Sequence, residues 1–399
     1  MKSLYFENSL TRLLALKAAS FVSKNAAFSR FSPVQYRDIP EPKIPNPRWL
    51  KIKNISCGLC GTDIHFLFMD MDPKCFPAAI PGICRKHLGH ELIGEIIEVG
   101  ADVKGLSIND RVAMRIDWPS CFQMEIDPPC LQCRSGNYML CENLGKKDPL
   151  VIDNGGGFAP VMVMHHTQPF KIPETIDNDR AVLLEPLACA FHTVMKHQPQ
   201  KNEQVLVIGG GTIGLLTLAV ASSIAPDARL VCLARYPFQA DIAKKLGADE
   251  VVMDSRDIYR TMSKVSGGGY FKGYFGNEIL LGGFNVIYDT VGSDASVSNA
   301  LRWVKGKGAV VLSGINFKPQ KLDYSVVWNQ EINFTGINCH ATEITGQTSF
   351  EMAAEFLAKT DLPLTDLITH RFPMENYKEA VRTFLSKKNS HAIKIVLDH

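Results

Sequence analysis

Residues 204–214 read QVLVIGGGTIG, and this stretch decides the architecture of the chain. Gln204–Ile208 is a continuous apolar run, the pattern of a parallel strand covered on both faces. Gly209-Gly210-Gly211-Thr212-Ile213-Gly214 then satisfies G-x-G-x-x-G where a helix, Ile213–Ala225, is expected to open. In that setting the first glycine permits a tight turn and the second lets the backbone approach a pyrophosphate. The third allows the helix to pack closely on the strand. Unpaired N–H groups and the positive dipole end at the helix start favour phosphate. The spacing predicts a dinucleotide-binding turn; the bland alternative is a glycine-rich turn without a ligand.

Downstream, the pattern predicts a strand at Leu230–Leu233, a helix at Gln239–Leu246 closed by Gly247, and strands at Val286–Tyr288, Ala309–Leu312 and Asn333–Thr335. Strands alternating with helices indicate a doubly wound α/β domain. The second strand of such a domain usually ends in a carboxylate that bonds the ribose 2′-hydroxyl. Here it ends Val231-Cys232-Leu233-Ala234-Arg235-Tyr236. A carboxylate would repel a 2′-phosphate, whereas a guanidinium pairs with it through two charge-assisted bonds. NADP(H) is therefore expected over NAD, with Arg235 as the phosphate partner rather than a solvated surface arginine. The candidate cofactor contacts are Gly209, Gly211, Thr212, Ile213, Gly214, Arg235 and Tyr236.

The first half reads differently. Trp49–Ile55, Leu92–Val99 and Arg111–Ile116 are short runs bounded by turn residues and predict a mainly antiparallel β domain. Pro40, Pro42, Pro45 and Pro47 mark an extended loop before it. The acid-poor stretch carrying Lys17 and Lys24 has the composition of a transit peptide, and Lys17 interrupts the apolar run too early for a secretory signal. Leu14, Ala18, Phe21 and Val22 share a helical face, so Leu13–Phe28 is read as an amphipathic helix within the folded domain.

With 399 residues, 46% hydrophobic and 21% charged, the chain has globular composition and room for two domains. Lys plus Arg number 43 against 41 Asp plus Glu, so no basic surplus points to nucleic acid or anionic lipid. No apolar run approaches the ~18 residues of a membrane span. The 11 cysteines include the tight groups Cys57/Cys60 and Cys130/Cys133/Cys141, which read as metal binding in a reducing, cytoplasmic setting.

Two metal sites are expected. Cys60-Gly61-Thr62-Asp63-Ile64-His65 and Gly89-His90-Glu91 supply a thiolate, an imidazole and a carboxylate from separate segments, which suits a zinc site with an open position. Such an ion polarises a carbonyl or favours the alkoxide from which hydride departs. Asp127-x-x-Cys130-x-x-Cys133-x7-Cys141 suits a closed structural zinc site. Its fourth ligand is expected to be Asp127, which continues the two-residue spacing, with Cys121 as the alternative.

With these residues in hand, the chain resembles the zinc-containing medium-chain dehydrogenase/reductase family, which includes alcohol, sorbitol, glucose and threonine dehydrogenases. The resemblance runs from Lys2-Ser3-Leu4 to Lys394-Ile395-Val396-Leu397 and rests on Cys60-Gly61-Thr62-Asp63, Gly89-His90-Glu91, Glu185-Pro186-Leu187, the glycine loop and Val291-Gly292. It implies an α/β protein: a GroES-like β-rich catalytic domain (1–187), a Rossmann domain with a doubly wound parallel sheet (188–338), and a return to the catalytic domain (339–399). It also implies that Cys60 and His90 ligate the catalytic zinc, with Glu185 at the third position and Glu91 as an alternating ligand. Asp63 would orient the imidazole, and Thr62 and His65 would relay a proton from the substrate oxygen. A homodimer or homotetramer acting on a small alcohol or carbonyl follows from the same resemblance.

The chain departs from the family at the segments 13–31 and 267–283 and at the missing fourth cysteine. Glu185-Pro186-Leu187 stands where the threonine branch carries Asp-Pro-Phe, which disfavours that activity. A zinc-free NADPH reductase and a non-catalytic NADPH-binding protein are the rival readings. Pocket walls are expected from 66–76, Trp118 and the inserted segments, with Phe66, Phe68 and Met69 as lining or core.

Overall fold

A computed structural model describes residues 1–399 apart from 8, 81–86 and 116–118. Trp118 and Ile116, the expected end of the third strand of the β domain, therefore lie outside the described residues.

The run that follows Gln204 is apolar because both faces of its strand are covered. Val205, Leu206 and Val207 are all 0% exposed. Gln204–Ile208 sits third in a six-stranded sheet ordered Glu250–Met253, Arg229–Ala234, Gln204–Ile208, Phe284–Asp289, Val304–Leu312 and Asn333–Gly336. Every neighbouring pair is parallel. In chain order this is third, second, first, fourth, fifth, sixth, so the winding reverses between Gln204–Ile208 and Phe284–Asp289. Ligands of open α/β sheets bind at that reversal, outside the strands' carboxyl ends. Gly209 follows one of those ends and Thr290 the other. The helix Thr212–Ile224 is buried nearly all round, from Gly214 to Ala221, because it is sandwiched between the sheet and the helix Leu184–Lys196. The helix Ser349–Lys359 also packs on Leu184–Lys196. The expected boundary at 187/188 falls within that helix.

The second large sheet has seven strands, and its main path runs Ile368–Pro373, Lys394–Asp398, Trp49–Gly58, Glu91–Val99, Arg111–Met114 and Pro169–Lys171. Val161–His165 pairs with the first part of Trp49–Gly58. The C-terminal strand lies antiparallel to Trp49–Gly58, with Val396 opposite Gly58 and Leu397 opposite Cys57. The last residues of the chain thus complete the sheet begun by the first half, which carries Lys394 into its interior.

The N-terminal segment corrects one expectation. A helix covers Leu10–Ser20 and a 3-10 turn covers Lys24–Phe28. The inward residue is Leu16, 1% exposed, whereas Leu14, Phe21 and Val22 are 59%, 92% and 90% exposed. LTRLLALKAAS has apolar residues on more than one face, so periodicity alone does not choose between them. Packing chooses: Leu16 joins Ala26, Ala27 and Leu67 in the core of the first half. Segment 267–283, expected as a surface loop, is a hairpin of Gly269–Lys272 with Glu278–Leu281. Its tip residues Tyr274 and Phe275 are exposed, and Leu280 is buried against the Rossmann core. Among the described residues, no helix is long and apolar enough to cross a membrane.

Candidate active site and metal centres

A cavity of about 540 Å³ opens at the sheet reversal, bordered by the glycine loop, Arg235, Tyr236, Thr290, Val291, Lys394, Cys60 and Glu91. Gly209 turns the chain at φ +113, which favours glycine, and a Cβ there would meet Thr290 Oγ1 at 2.7 Å. A Cβ on Gly214 would fall 1.8 Å from the carbonyl oxygen of Gly209, so the helix can approach its strand only without one. Gly211 is different. Its Cβ would meet nothing within 4 Å, which leaves its backbone open to the cavity. Gly211 N-caps Thr212–Ile224 without a side-chain hydrogen bond, and no acid occupies the first turn. The helix start therefore retains donors and a positive end for a pyrophosphate. This donor set and open backbone fit a dinucleotide.

At the end of the second strand, Gln239 Oε1 accepts from the N–H groups of both Arg235 and Tyr236, at 3.2 Å each, and fixes that turn. The Arg235 side chain is exposed and lines an adjoining cavity with Lys388 and His391. The rings of Tyr236 and Phe238 stack at 5.5 Å, and Phe238 stacks on His391 at 4.8 Å. Sequence reading missed Lys388 and His391, which come from the far C-terminal segment.

Of the residues expected at the first metal site, Cys60, His90 and Glu91 come together and Glu185 does not. Donor atoms of Cys60, His90 and Glu91 lie within 4.8 Å of one another. Cys60 N-caps the helix Gly61–Phe68, and its N–H donates to Asp63 Oδ2 at 3.0 Å. Asp63 Oδ1 accepts from the Gly89 N–H at 3.1 Å and stands 3.8 Å from His90 Nδ1. One buried carboxylate thus ties the two ligand-bearing segments together. Thr62 Oγ1 is 3.6 Å from Cys60 Sγ. His65 Nδ1 pairs with Asp70 Oδ1 at 2.6 Å, and its ring packs edge-on against Phe317. Phe66 belongs to the core of the first half, and the partly buried Phe68 and Met69 pack against it. Cys57 is fully buried and stands apart from the metal group.

Lys394 was not singled out from sequence, where it reads as the polar start of a C-terminal strand. It forms a buried ion pair with Glu91, with side chains 2% and 3% exposed. Burial works to lower its ammonium, but Glu91, Cys60 and Glu185 outweigh it and raise the lysine above its ordinary range. Glu185 itself lies apart from the Cys60–His90–Glu91 group. Its carboxylate joins Cys189 and Cys339 in a separate cluster.

The second metal group corrects the expected fourth ligand. Cys121, Cys130, Cys133 and Cys141 place their sulfurs within 4.8 Å of one another, while Asp127 is exposed and outside the group. The reason is the turn after Cys121, closed by the Ile126 N–H on the Cys121 carbonyl at 2.8 Å. That turn returns the Cys121 sulfur to accept from the Cys130 N–H at 3.4 Å and from Asn143 Nδ2 at 3.2 Å. Cys121 and Cys141 sulfurs are 3.6 Å apart, close to the ~3.8 Å edge of a tetrahedron with ~2.3 Å zinc–sulfur bonds. Crowding forces the thiols to differ: the Cys133 thiol beside it holds Cys141 down at about 5, while Cys133 is pushed far up. Four sulfurs gathered at these distances fit a structural zinc ion. Cys121→Ser is expected to lower bound zinc by one ion per chain and to reduce the thermal midpoint. Asp127→Ala is expected to change neither, as elemental analysis and thermal melting would read.

Together the parallel sheet, the glycine loop and the thiolate–imidazole site define a zinc- and dinucleotide-type oxidoreductase. Residues 46–174 match the alcohol dehydrogenase GroES-like domain, and residues 212–359 match the zinc-binding dehydrogenase family. L-threonine 3-dehydrogenase of Paraburkholderia phymatum is 30% identical over 345 residues, covering 86% of this chain and 89% of that protein. The solved 2R,3R-butanediol dehydrogenase of Bacillus subtilis superposes with a TM-score of 0.73 at 21% identity, covering 100% of this chain and 99% of that one. A zinc-binding dehydrogenase of Sinorhizobium meliloti 1021, solved with NADP, gives a TM-score of 0.68 at 24% identity, covering 92% and 96% of the two chains. The chain belongs to the zinc-containing medium-chain dehydrogenase/reductase family and is an oxidoreductase acting on CH–OH groups.

Proposed function

We propose that the protein is an NADP(H)-dependent alcohol, polyol or sugar dehydrogenase, working equally as the matching aldehyde or ketone reductase. The observation that carries this reading is a shared opening: Cys60 and Glu91 border the same cavity as the glycine loop and Arg235. When bound, zinc supplies a Lewis acid for the substrate oxygen and the nicotinamide ring supplies or accepts the hydride. Cys60 and His90 would hold the zinc, with Glu91 or Glu185 as carboxylate partner. Asp63 keeps the His90 segment in register with Cys60. The Thr62 hydroxyl, beside the Cys60 sulfur, would take the substrate proton, and His65 would pass it toward solvent. Lys394 and Glu91 border the cavity as a buried ion pair. Cytoplasmic residence, homodimer or homotetramer assembly and the 1–187, 188–338 and 339–399 division belong to the same proposal.

Arg235 and its neighbours Lys388 and His391 support the coenzyme choice. Arg235→Ala is expected to weaken NADP(H) about 10–100-fold, the loss of one charge-assisted contact, and to leave NAD(H) nearly unchanged. Fluorescence titration of both coenzymes reads this directly. Tighter NAD binding by the parent protein, with no effect of the substitution, would reject it.

L-threonine oxidation is the second reading, favoured by the name of the Paraburkholderia relative. Glu185-Pro186-Leu187 weighs against it. Metal analysis joined to coenzyme-coupled assays with aldehydes, ketones, polyols and L-threonine separates the readings. Full turnover after chelation would favour a zinc-free reductase, and tight NADPH binding without turnover a non-catalytic protein.

A further inference from the structure

A third group of metal-ligating side chains stands beside the catalytic cleft. Glu185 and Cys189 are one helical turn apart on Leu184–Lys196 and project from the same face. Cys339 approaches them from the segment that follows the strand Asn333–Gly336. The Glu185 carboxylate and the two sulfurs lie within 4.8 Å of one another. Cys189 Sγ is 3.5 Å from Glu185 Oε1, close to the ~3.6 Å edge between a thiolate and a carboxylate on one tetrahedral ion. The segment bearing Cys339 is anchored on both sides, by Asn338 Nδ2 on the Met139 carbonyl at 3.0 Å and by the Thr342 N–H on Asn137 Oδ1 at 3.3 Å. Cys339 itself is held at φ 57, a left-handed conformation uncommon outside glycine. Cys189 is buried and Cys339 partly exposed, so an ion would have both a dry donor and an entry route.

We propose that Glu185, Cys189 and Cys339 form a thiophilic divalent-cation site of their own, distinct from the Cys60–His90 site and from the four-cysteine site. Two sulfurs with one carboxylate suit zinc or cadmium and disfavour magnesium or calcium, which take oxygen. The inference rests on the reading of Cys60 and His90 as a separate zinc site. It adds a consequence: an ion at the third site holds the Glu185 carboxylate where the structure has it, with Cys189 and Cys339, and denies it to the Cys60–His90 centre, for which the proposed function offers it as a carboxylate partner. Excess zinc should therefore inhibit turnover reversibly.

The test uses the reduced holoenzyme, with its resident zinc counted before and after titration with cadmium ion alone. The parent protein is expected to take up one further equivalent, with new ultraviolet thiolate-to-cadmium absorption and no loss of resident zinc. Cys339→Ser and the double variant Cys189→Ser/Cys339→Ser should lack that equivalent while keeping the resident zinc and NADPH binding. Half-inhibition by excess zinc should require at least about 10-fold more metal in the double variant. The same cadmium uptake in parent and double variant would overturn the proposal, as would no extra uptake by the parent. A Cys189–Cys339 disulfide-linked peptide from the protein as purified would overturn it too. Failure of the parent reading is separable, because that would appear as absent zinc at Cys60 and His90, tested with His90→Ala.

Discussion

His90→Ala is expected to remove one zinc per chain and to lower kcat/KM by about 10³-fold or more, with coenzyme affinity nearly unchanged. His90 is 8% exposed and shares the metal group with Cys60 and Glu91. An electrophilic ion is worth several kcal/mol of transition-state charge stabilisation, and each ~1.36 kcal/mol is a factor of ten in rate. Alanine removes one donor of the group but leaves the Asp63 bonds to the Cys60 and Gly89 N–H groups in place. Asp63→Asn should be milder: it keeps an oxygen for a backbone donor but loses the charge facing the imidazole, for which ~10–100-fold in metal affinity is usual. Elemental analysis, coenzyme fluorescence and steady-state kinetics on the same preparations check all three parts. Undiminished turnover by a zinc-depleted His90→Ala protein would reject the site.

Lys394→Met is expected to be among the most destabilising single changes outside the apolar core, at about 3–5 kcal/mol, because it strands the Glu91 carboxylate in a buried site. Both members of the pair are nearly fully buried. The double change Glu91→Gln/Lys394→Met should recover much of the loss, since it removes the uncompensated charge along with its partner. Thermal midpoints of the two single variants and the double variant give the coupling. The sign of the pH dependence follows from the raised lysine. The contribution of the ammonium is complete below its ordinary value of 10.5 and fades only as pH climbs through the raised value. Stability near neutral pH should thus be insensitive to this group. A Lys394→Met protein as stable as its parent would show that the pair contributes nothing net.

Much of the fold was legible because its signals are local. The run beginning at Gln204, the glycine loop and the helix after it depend on contacts within a few residues, and the expected strand Gln204–Ile208 is the observed one. The meeting of Cys60, His90 and Glu91 was legible because each sits in a short chemical signature. Arg235 was legible as the residue standing where a carboxylate usually does. Less could be read where several local arrangements compete. The N-terminal helix offers more than one apolar face, and only packing against Ala26, Ala27 and Leu67 selected that of Leu16. Even spacing favoured Asp127 as the fourth structural ligand, yet the turn after Cys121 brings in that sulfur instead.

What the sequence by itself determined is the parallel sheet, the nucleotide turn and the chemical character of the first metal group, because strand burial, backbone approach and donor type are written in neighbouring residues. What only the tertiary structure decided is which distant side chains meet. Lys394 reaches Glu91 across 303 positions of chain, Cys339 joins Glu185 and Cys189, and Lys388 and His391 border the Arg235 cavity. The first and third of those encounters depend on how the C-terminal strand closes the sheet of the first half, and the second on where the chain goes after the strand Asn333–Gly336. Nothing in the local pattern of either partner specifies such a long-range pairing.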